Sequence, residues 1–255
     1  MHSLRFMLLC LLAPASIHAA TSATPLTFAY KPTPGSVEYG VWTTQTTSES
    51  GTIAPQDIPV VNTEEVWRYC QLPAPEGDLE VRIQRLGQRG WVGAKSVPPG
   101  GPSARQFVMS PRGEMRNAPE PDFPSRDLVP ILPAGAIAPG FEWSAVAPRS
   151  RKFPVEIPLK HRFDRILTAR GETCAMIVST ADLQGRLPAC SVGYSLSYTG
   201  IFLFNLAEGV MVSSRTILTS SATTDKPNER GIQETTKRVE TLMRRQSLPL
   251  SPQPK

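Results

Sequence analysis

Histidine is nearly absent from this chain. Of three histidines in 255 residues, His2 and His18 fall among the first twenty, which leaves His161 alone in the remainder. A multi-histidine zinc site is thereby excluded, and no Cys-x-x-Cys pair offers thiolates instead. No two glycines stand two apart, so there is no Gly-x-Gly-x-x-Gly dinucleotide loop, and no glycine precedes a lysine as a phosphate loop requires. The Gly-x-Ser-x-Gly elbow is missing, and no lysine has a serine three positions before it. No cofactor is expected. Basic runs with interleaved aromatics are lacking too, and a net charge of +5 is mild for this length. Nucleic acid is therefore not an expected partner.

Long apolar runs are also missing, with one exception at the very start. Arg5 and the amino terminus precede an apolar stretch from Phe6 to Ala13, followed by Pro14 and small residues up to Ala19-Ala20. This is the three-part pattern of a secretory signal peptide. The run is shorter than the roughly 20 residues of a membrane span and is interrupted by Pro14. Leu9, not a small residue, precedes Cys10, which argues against lipidation. Cleavage near Ala19/Ala20 is expected, followed by residence in the periplasm or outside the cell. Further on, the most apolar stretch, Ile201 to Leu206, is far too short to span a bilayer, so no transmembrane segment is expected in the mature chain.

Proline, by contrast, is abundant. The 26 prolines are roughly twice the usual share of about 5%, and prolines spread along a chain break long helices. Alternating stretches supply the rest of the pattern. In Asp78 to Leu86, Leu79, Val81 and Ile83 alternate with Glu80, Arg82 and Gln84, the signature of a half-buried strand. Similar strands are expected at Leu26–Tyr30, Val37–Thr47, Asn62–Leu72 and Trp91–Ala94. In the second half they are expected at Val155–Ile157, His161–Ala169, Glu172–Thr180, Gly193–Tyr198, Thr199–Asn205 and Val210–Leu218. Gln106 to Arg116 reads as strand, tight turn at Pro111-Arg112-Gly113, strand. The segment 232–245 fits a helix face through Ile232, Thr236, Val239 and Met243, yet its threonines favour a strand.

The fold class expected is all-β, a curved antiparallel sheet or sheets with little helix apart from the signal peptide. The organisation is signal peptide 1–20, first β unit 21–116, proline-rich crossover 117–140, second β unit 141–246 and disordered tail 247–255. Pro34-Gly35 and Phe107 to Met115 in the first unit echo Pro139-Gly140 and Phe202 to Met211 in the second. Two similar units forming a half-barrel or clam-like sandwich are consistent with that echo.

Candidate functional residues are few. Cys70, Cys174 and Cys190 remain after the signal, an odd number. Cys174 and Cys190 are the candidate disulfide pair, provided that the hairpin between them turns near Asp182 or carries a bulge. Otherwise the three thiols are small buried hydrophobes. His161 could serve a serine or Cys70 in a triad, but its neighbours Lys160 and Arg162 suggest an outward-facing position. The carboxylate pairs Glu64/Glu65, Glu76/Asp78 and Glu120/Asp122 read as solvated surface. Trp42, Trp67, Trp91 and Trp143 suit core anchors better than a glycan or lipid groove. No catalytic residue is assigned. Val81, Ile83, Met176 and Leu203 are the candidate apolar ligand face, if the sheet encloses a pocket.

Three stretches carry a resemblance. They are Ile131-Leu132-Pro133 followed by Pro139-Gly140-Phe141-Glu142-Trp143, then Gly171 to Ile177, then Phe204-Asn205-Leu206-Ala207-Glu208-Gly209. Together they resemble an uncharacterised family of secreted bacterial β-rich proteins with LP…GxxW, GxxAxI and φDxxxG motifs. Asn205 stands where such proteins often have Asp. The resemblance implies export and a curved antiparallel fold, and no reaction. The functional expectation is an exported envelope protein acting as a non-enzymatic binding or interaction module. A periplasmic carrier of an apolar or lipid-like ligand and a hydrolase with an unrecognised site are the alternatives. The intact mass of the exported product should correspond to a chain starting at Ala20 or Thr21; a mass retaining Met1 to Ala19 would refute the signal reading.

Overall fold

The computed structural model of the protein describes residues 24–51, 58–98, 103–116, 130–147, 156–187 and 192–246. The signal, the tail, most of the crossover, Glu120/Asp122 and Cys190 lie outside them. Eleven strands follow one another: β1 (Val37–Gly51), β2 (Val61–Pro73), β3 (Leu79–Val92), β4 (Lys95–Val97), β5 (Ser103–Met109), β6 (Glu142–Ala147), β7 (Ile157–Ala169), β8 (Glu172–Leu187), β9 (Val192–Asn205), β10 (Val210–Thr223) and β11 (Ile232–Arg245). No α-helix occurs among the described residues, and none could cross a membrane. The segment 232–245 is a strand.

All strands belong to one curved antiparallel sheet in the order β4-β3-β2-β1-β11-β10-β9-β8-β7-β6, with β5 also paired to β3. The sheet is not closed into a barrel. The first and second halves of the chain meet side by side where β1 pairs with β11, from Tyr39↔Arg245 to Gly51↔Ile232. Several strands exceed their sequence-based bounds. Asp78–Leu86 and Trp91–Ala94 merge into β3, because pairing with β2 carries the ladder through Gly87 and Gly90. Gly193–Tyr198 and Thr199–Asn205 likewise form the single strand β9, and β8 runs on to Leu187. Ladder hydrogen bonds to two neighbours override weak local breakers. Bulges at Val66/Trp67, Phe163/Arg165 and Met211/Ser213 bend the long strands locally, as extra unpaired residues do.

Leu26–Tyr30 is not a strand of this sheet. Apart from one bridge, Leu26↔Ile137, it makes no ladder. It is an extended plug inside the curved sheet. Phe28 packs edge-on to Phe163, with ring centroids 5.0 Å apart, and against Phe204. Tyr30 meets Phe204 edge-on at 5.2 Å. Its hydroxyl donates to the Pro130 carbonyl, and its amide to that of Pro111. Burying the Tyr30 phenol raises its pKa well above the ordinary value. All four rings are at most 3% exposed.

The three motif stretches converge on this plug. Leu132 is fully buried, and the Trp143 indole donates to the Ile131 carbonyl at 2.8 Å. Ala175 and Ile177 point into the same core. In the turn after β9, Asn205 Oδ1 accepts from the amides of Ala207 and Glu208, while its Nδ2 donates to Glu172 at 2.8 Å. An aspartate could fill the first role but not the second, because an ionised carboxylate only accepts. Gly209, at φ +66°, lets the plug pass: a Cβ there would lie 2.6 Å from the Ala29 carbonyl oxygen.

Truncating the plug should be costly. Phe28→Ala is expected to lower the unfolding free energy by about 3–5 kcal/mol, the usual range for an aromatic removed from a packed core. A urea-midpoint shift corresponding to less than about 1 kcal/mol would show that Phe28 is not part of the packed core.

Candidate functional site

A strand's period of two decides which residues share a face, and antiparallel register decides which of them line up across strands. One such line crosses the concave face. It runs Trp143↔His161↔Ser179↔Gly200↔Thr216↔Thr241↔Thr43↔Thr63↔Gly90, from β6 to β3. Between Trp143 and Gly90 the residues are histidine, hydroxyl residues and one glycine, with no charged residue. His161, Ser179, Thr216 and Thr241 are all buried. On the plug side lies a mostly apolar row through Phe163, Ile177, Phe202, Ser214, Met243 and Val41. On the other side, the row Tyr198, Leu218, Val239, Gln45 and Val61 is half-buried beyond Tyr198.

At one end of the polar line sits His161, 2% exposed. Its outward placement by the Lys160 and Arg162 neighbours is thus reversed. The flanking cations face out, and alternation carries His161 inward together with Leu159 and Phe163. That Leu159-x-His161-x-Phe163 spacing is the sequence signal for its burial. The imidazole stacks on Trp143, with centroids 5.2 Å apart and planes at 28°. Nδ1 and Ser179 Oγ share a hydrogen bond of 2.6 Å. Nε2 is buried without a hydrogen-bond partner. Desolvation by burial lowers the His161 pKa to about 4.

Beside this pair is a partly open cavity of about 60 Å³, lined by His161, Ser179, Tyr198, Phe202, Leu159, Ala147, Met115, Gly113, Pro130 and Ile131. Gly200 lies beside two of the lining rings. A Cβ there would fall 2.6 Å from the Phe202 ring and 2.7 Å from the Tyr198 hydroxyl, so only glycine lets both rings lie across the strand.

A serine 2.6 Å from an imidazole is a nucleophile–base arrangement. Two features weaken it as a hydrolase. An imidazole with a pKa near 4 is a feeble general base at neutral pH. No carboxylate orients Nε2, the place a triad's acid would occupy. The pair is better suited to holding a ligand by a hydrogen bond than to attacking it.

The remaining sequence candidates disperse. Val81 and Ile83 belong to the buried core, whereas Met176 and Leu203 pair with each other on the opposite face of β8 and β9. The four therefore form no common face, and none lines the cavity. Cys174 is a buried free thiol opposite Asn205, and Cys70 is a half-buried free thiol. The β8–β9 hairpin does not turn near Asp182, one of the two geometries expected for a Cys174–Cys190 bond, and Cys190 lies outside the described residues. Asp182 pairs with Ser197, and the ladder continues to Leu187↔Val192.

Glu64, Glu65 and Asp78 of the described carboxylate pairs are ion-paired, while Glu76 is exposed. Glu64 bonds Arg89, which holds its carboxyl below the usual range. Glu65 meets Arg85 at 3.2 Å and accepts from the Trp67 indole. Asp78 meets Arg116 at 3.0 Å. Trp67 is in the core and Trp143 packs against it, while Trp42 is 37% exposed. No protein-family model matches the chain, and no curated protein matches it.

The depressed His161 pKa has a stability consequence. Unfolding frees the imidazole to titrate at its ordinary 6.5, so below that pH the unfolded chain binds the extra proton. Stability from the neutral buried ring is complete above pH 6.5 and declines as pH falls towards 4. Between pH 7 and pH 4 the wild type should lose about 3 kcal/mol more than His161→Phe. Equal losses in urea titrations of the two proteins would refute this.

Proposed function

We propose that this chain is a non-enzymatic binding module of the bacterial envelope, exported after loss of its first twenty residues, which holds an apolar ligand along the concave face of its sheet. One observation supports the reading most directly. The buried polar line lies beside a half-buried row containing Leu218, Val239 and Val61. A trough with an apolar wall and a narrow strip of neutral hydrogen-bonding groups suits an apolar molecule of low charge. Export rests on the N-terminal pattern and on the resemblance to secreted β-rich proteins. The carrier reading survives in altered form, since the apolar surface is not the Val81, Ile83, Met176 and Leu203 set.

The neutral probe 1-N-phenylnaphthylamine tests this. Its fluorescence should rise saturably with the wild type. Val239→Trp, which fills the trough, should weaken binding by about tenfold or more, equivalent to 1.4 kcal/mol. Ile201→Ser, at an exposed outer position, should leave binding unchanged. Failure to bind, or equal binding by both variants, would sink the proposal.

A further inference from the structure

The His161 cavity has chemistry that narrows the ligand further. Among the described residues that line it, the polar side chains are His161, Ser179 and Tyr198, and none is cationic or anionic at neutral pH. Nδ1 is committed to Ser179. Nε2, on the other side of the ring, is left without a partner in a residue 98% removed from solvent. A buried nitrogen of this kind is costly unless something bonds to it. We propose that the cavity receives the neutral hydroxyl group of an apolar ligand, with His161 Nε2 as its hydrogen-bond partner. This rests on the binding reading above and adds the ligand's head-group chemistry to it.

An anionic head, carboxylate or phosphate, would find no cation among the described lining residues, and desolvation opposes its entry. An ammonium head would likewise find no carboxylate. A purely apolar end would leave Nε2 unsatisfied. A hydroxyl both donates and accepts. It therefore satisfies Nε2 whichever tautomer the Ser179 bond selects: the hydroxyl donates to Nε2 if Nδ1 carries the proton, and accepts from Nε2–H if Ser179 donates to Nδ1. Size agrees. A cavity of about 60 Å³ has room for a few waters, or for a hydroxyl and the first carbons of a chain, on the order of a few non-hydrogen atoms. The remainder of a longer ligand would lie in the trough beside the polar line.

The test uses the full chain, labelled with ¹⁵N in its histidines, at pH 7. The probes are 1-butanol, sodium butyrate and n-pentane. The imidazole signal missing from His161→Phe identifies His161. Expected is a saturable shift of His161 Nε2 with 1-butanol, at least about tenfold tighter than with butyrate or pentane. In His161→Phe, followed by methyl shifts of Met115, the preference for 1-butanol over pentane should shrink to within about twofold. Equal or tighter binding of butyrate would overturn the proposal, as would a preference surviving in His161→Phe. It also fails if no probe moves His161 while phenylnaphthylamine still binds. In that case water alone satisfies Nε2 and the binding reading stands. Should the variant not fold, the three wild-type titrations decide the matter by themselves. If neither phenylnaphthylamine nor 1-butanol binds, both readings fall.

Discussion

An open sheet must bury one face without closing upon itself, and here that requirement is met by a piece of the chain's own N-terminal region. Phe28 and Tyr30 enter the concave face and complete a ring cluster with Phe163 and Phe204. Aromatic rings meeting edge to face gain beyond the area they bury, because the positive edge of one meets the negative face of the other. The supporting details follow from seating this plug. Asn205 shapes the turn beneath it, Gly209 leaves room for its backbone, and Lys31 donates to the Leu206 and Ala207 carbonyls as the plug leaves. Trp143 ties down Ile131, whose neighbour Leu132 is fully buried.

The plug fills one end of the concavity and so defines the other. Where it stops, large core side chains give way to a line of hydroxyl residues, and beyond them the apolar positions become half-exposed. Charged groups of the sheet are held elsewhere in ion pairs, among them Arg89 with Glu64, Arg116 with Asp78 and Arg245 with Glu208. The line from His161 to Thr63 is itself neutral, while Glu65 and Lys237 share its face on either side. Neutral polar groups in a low-dielectric setting discriminate by hydrogen-bond geometry and by the cost of leaving a partner unsatisfied.

Legibility varied with the range of the interaction involved. The all-β class, the β3 alternation at Leu79, Val81 and Ile83, and the turn at Pro111 to Gly113 were readable, because each depends on neighbours a few residues apart. Strand ends were not. Gly87 and Gly90 look like breakers, yet β3 runs through them once β2 is alongside. Leu26–Tyr30 alternates like a strand but serves as a plug, since the same alternation suits any extended segment with one buried side. Met176 and Leu203 were grouped with Val81 and Ile83 on hydrophobicity alone, although their own strands place them a single residue off the core-facing positions. His161 was misjudged from its charged neighbours when its second neighbours, Leu159 and Phe163, carried the information.

The sequence by itself determined that this chain makes strands, and within each strand which residues stand together on one face. Both follow from steric preferences and a period of two, which act locally. Only the tertiary structure decided which face turns inward and which residues of remote strands fall into line. The polar row from His161 to Thr63 draws on seven strands, and its register depends on Thr43 meeting Thr241, some two hundred positions away along the chain. No local preference encodes that meeting. It is set by the collective burial of both halves around one plug, where a slip of a single residue would turn an entire strand's apolar side to water.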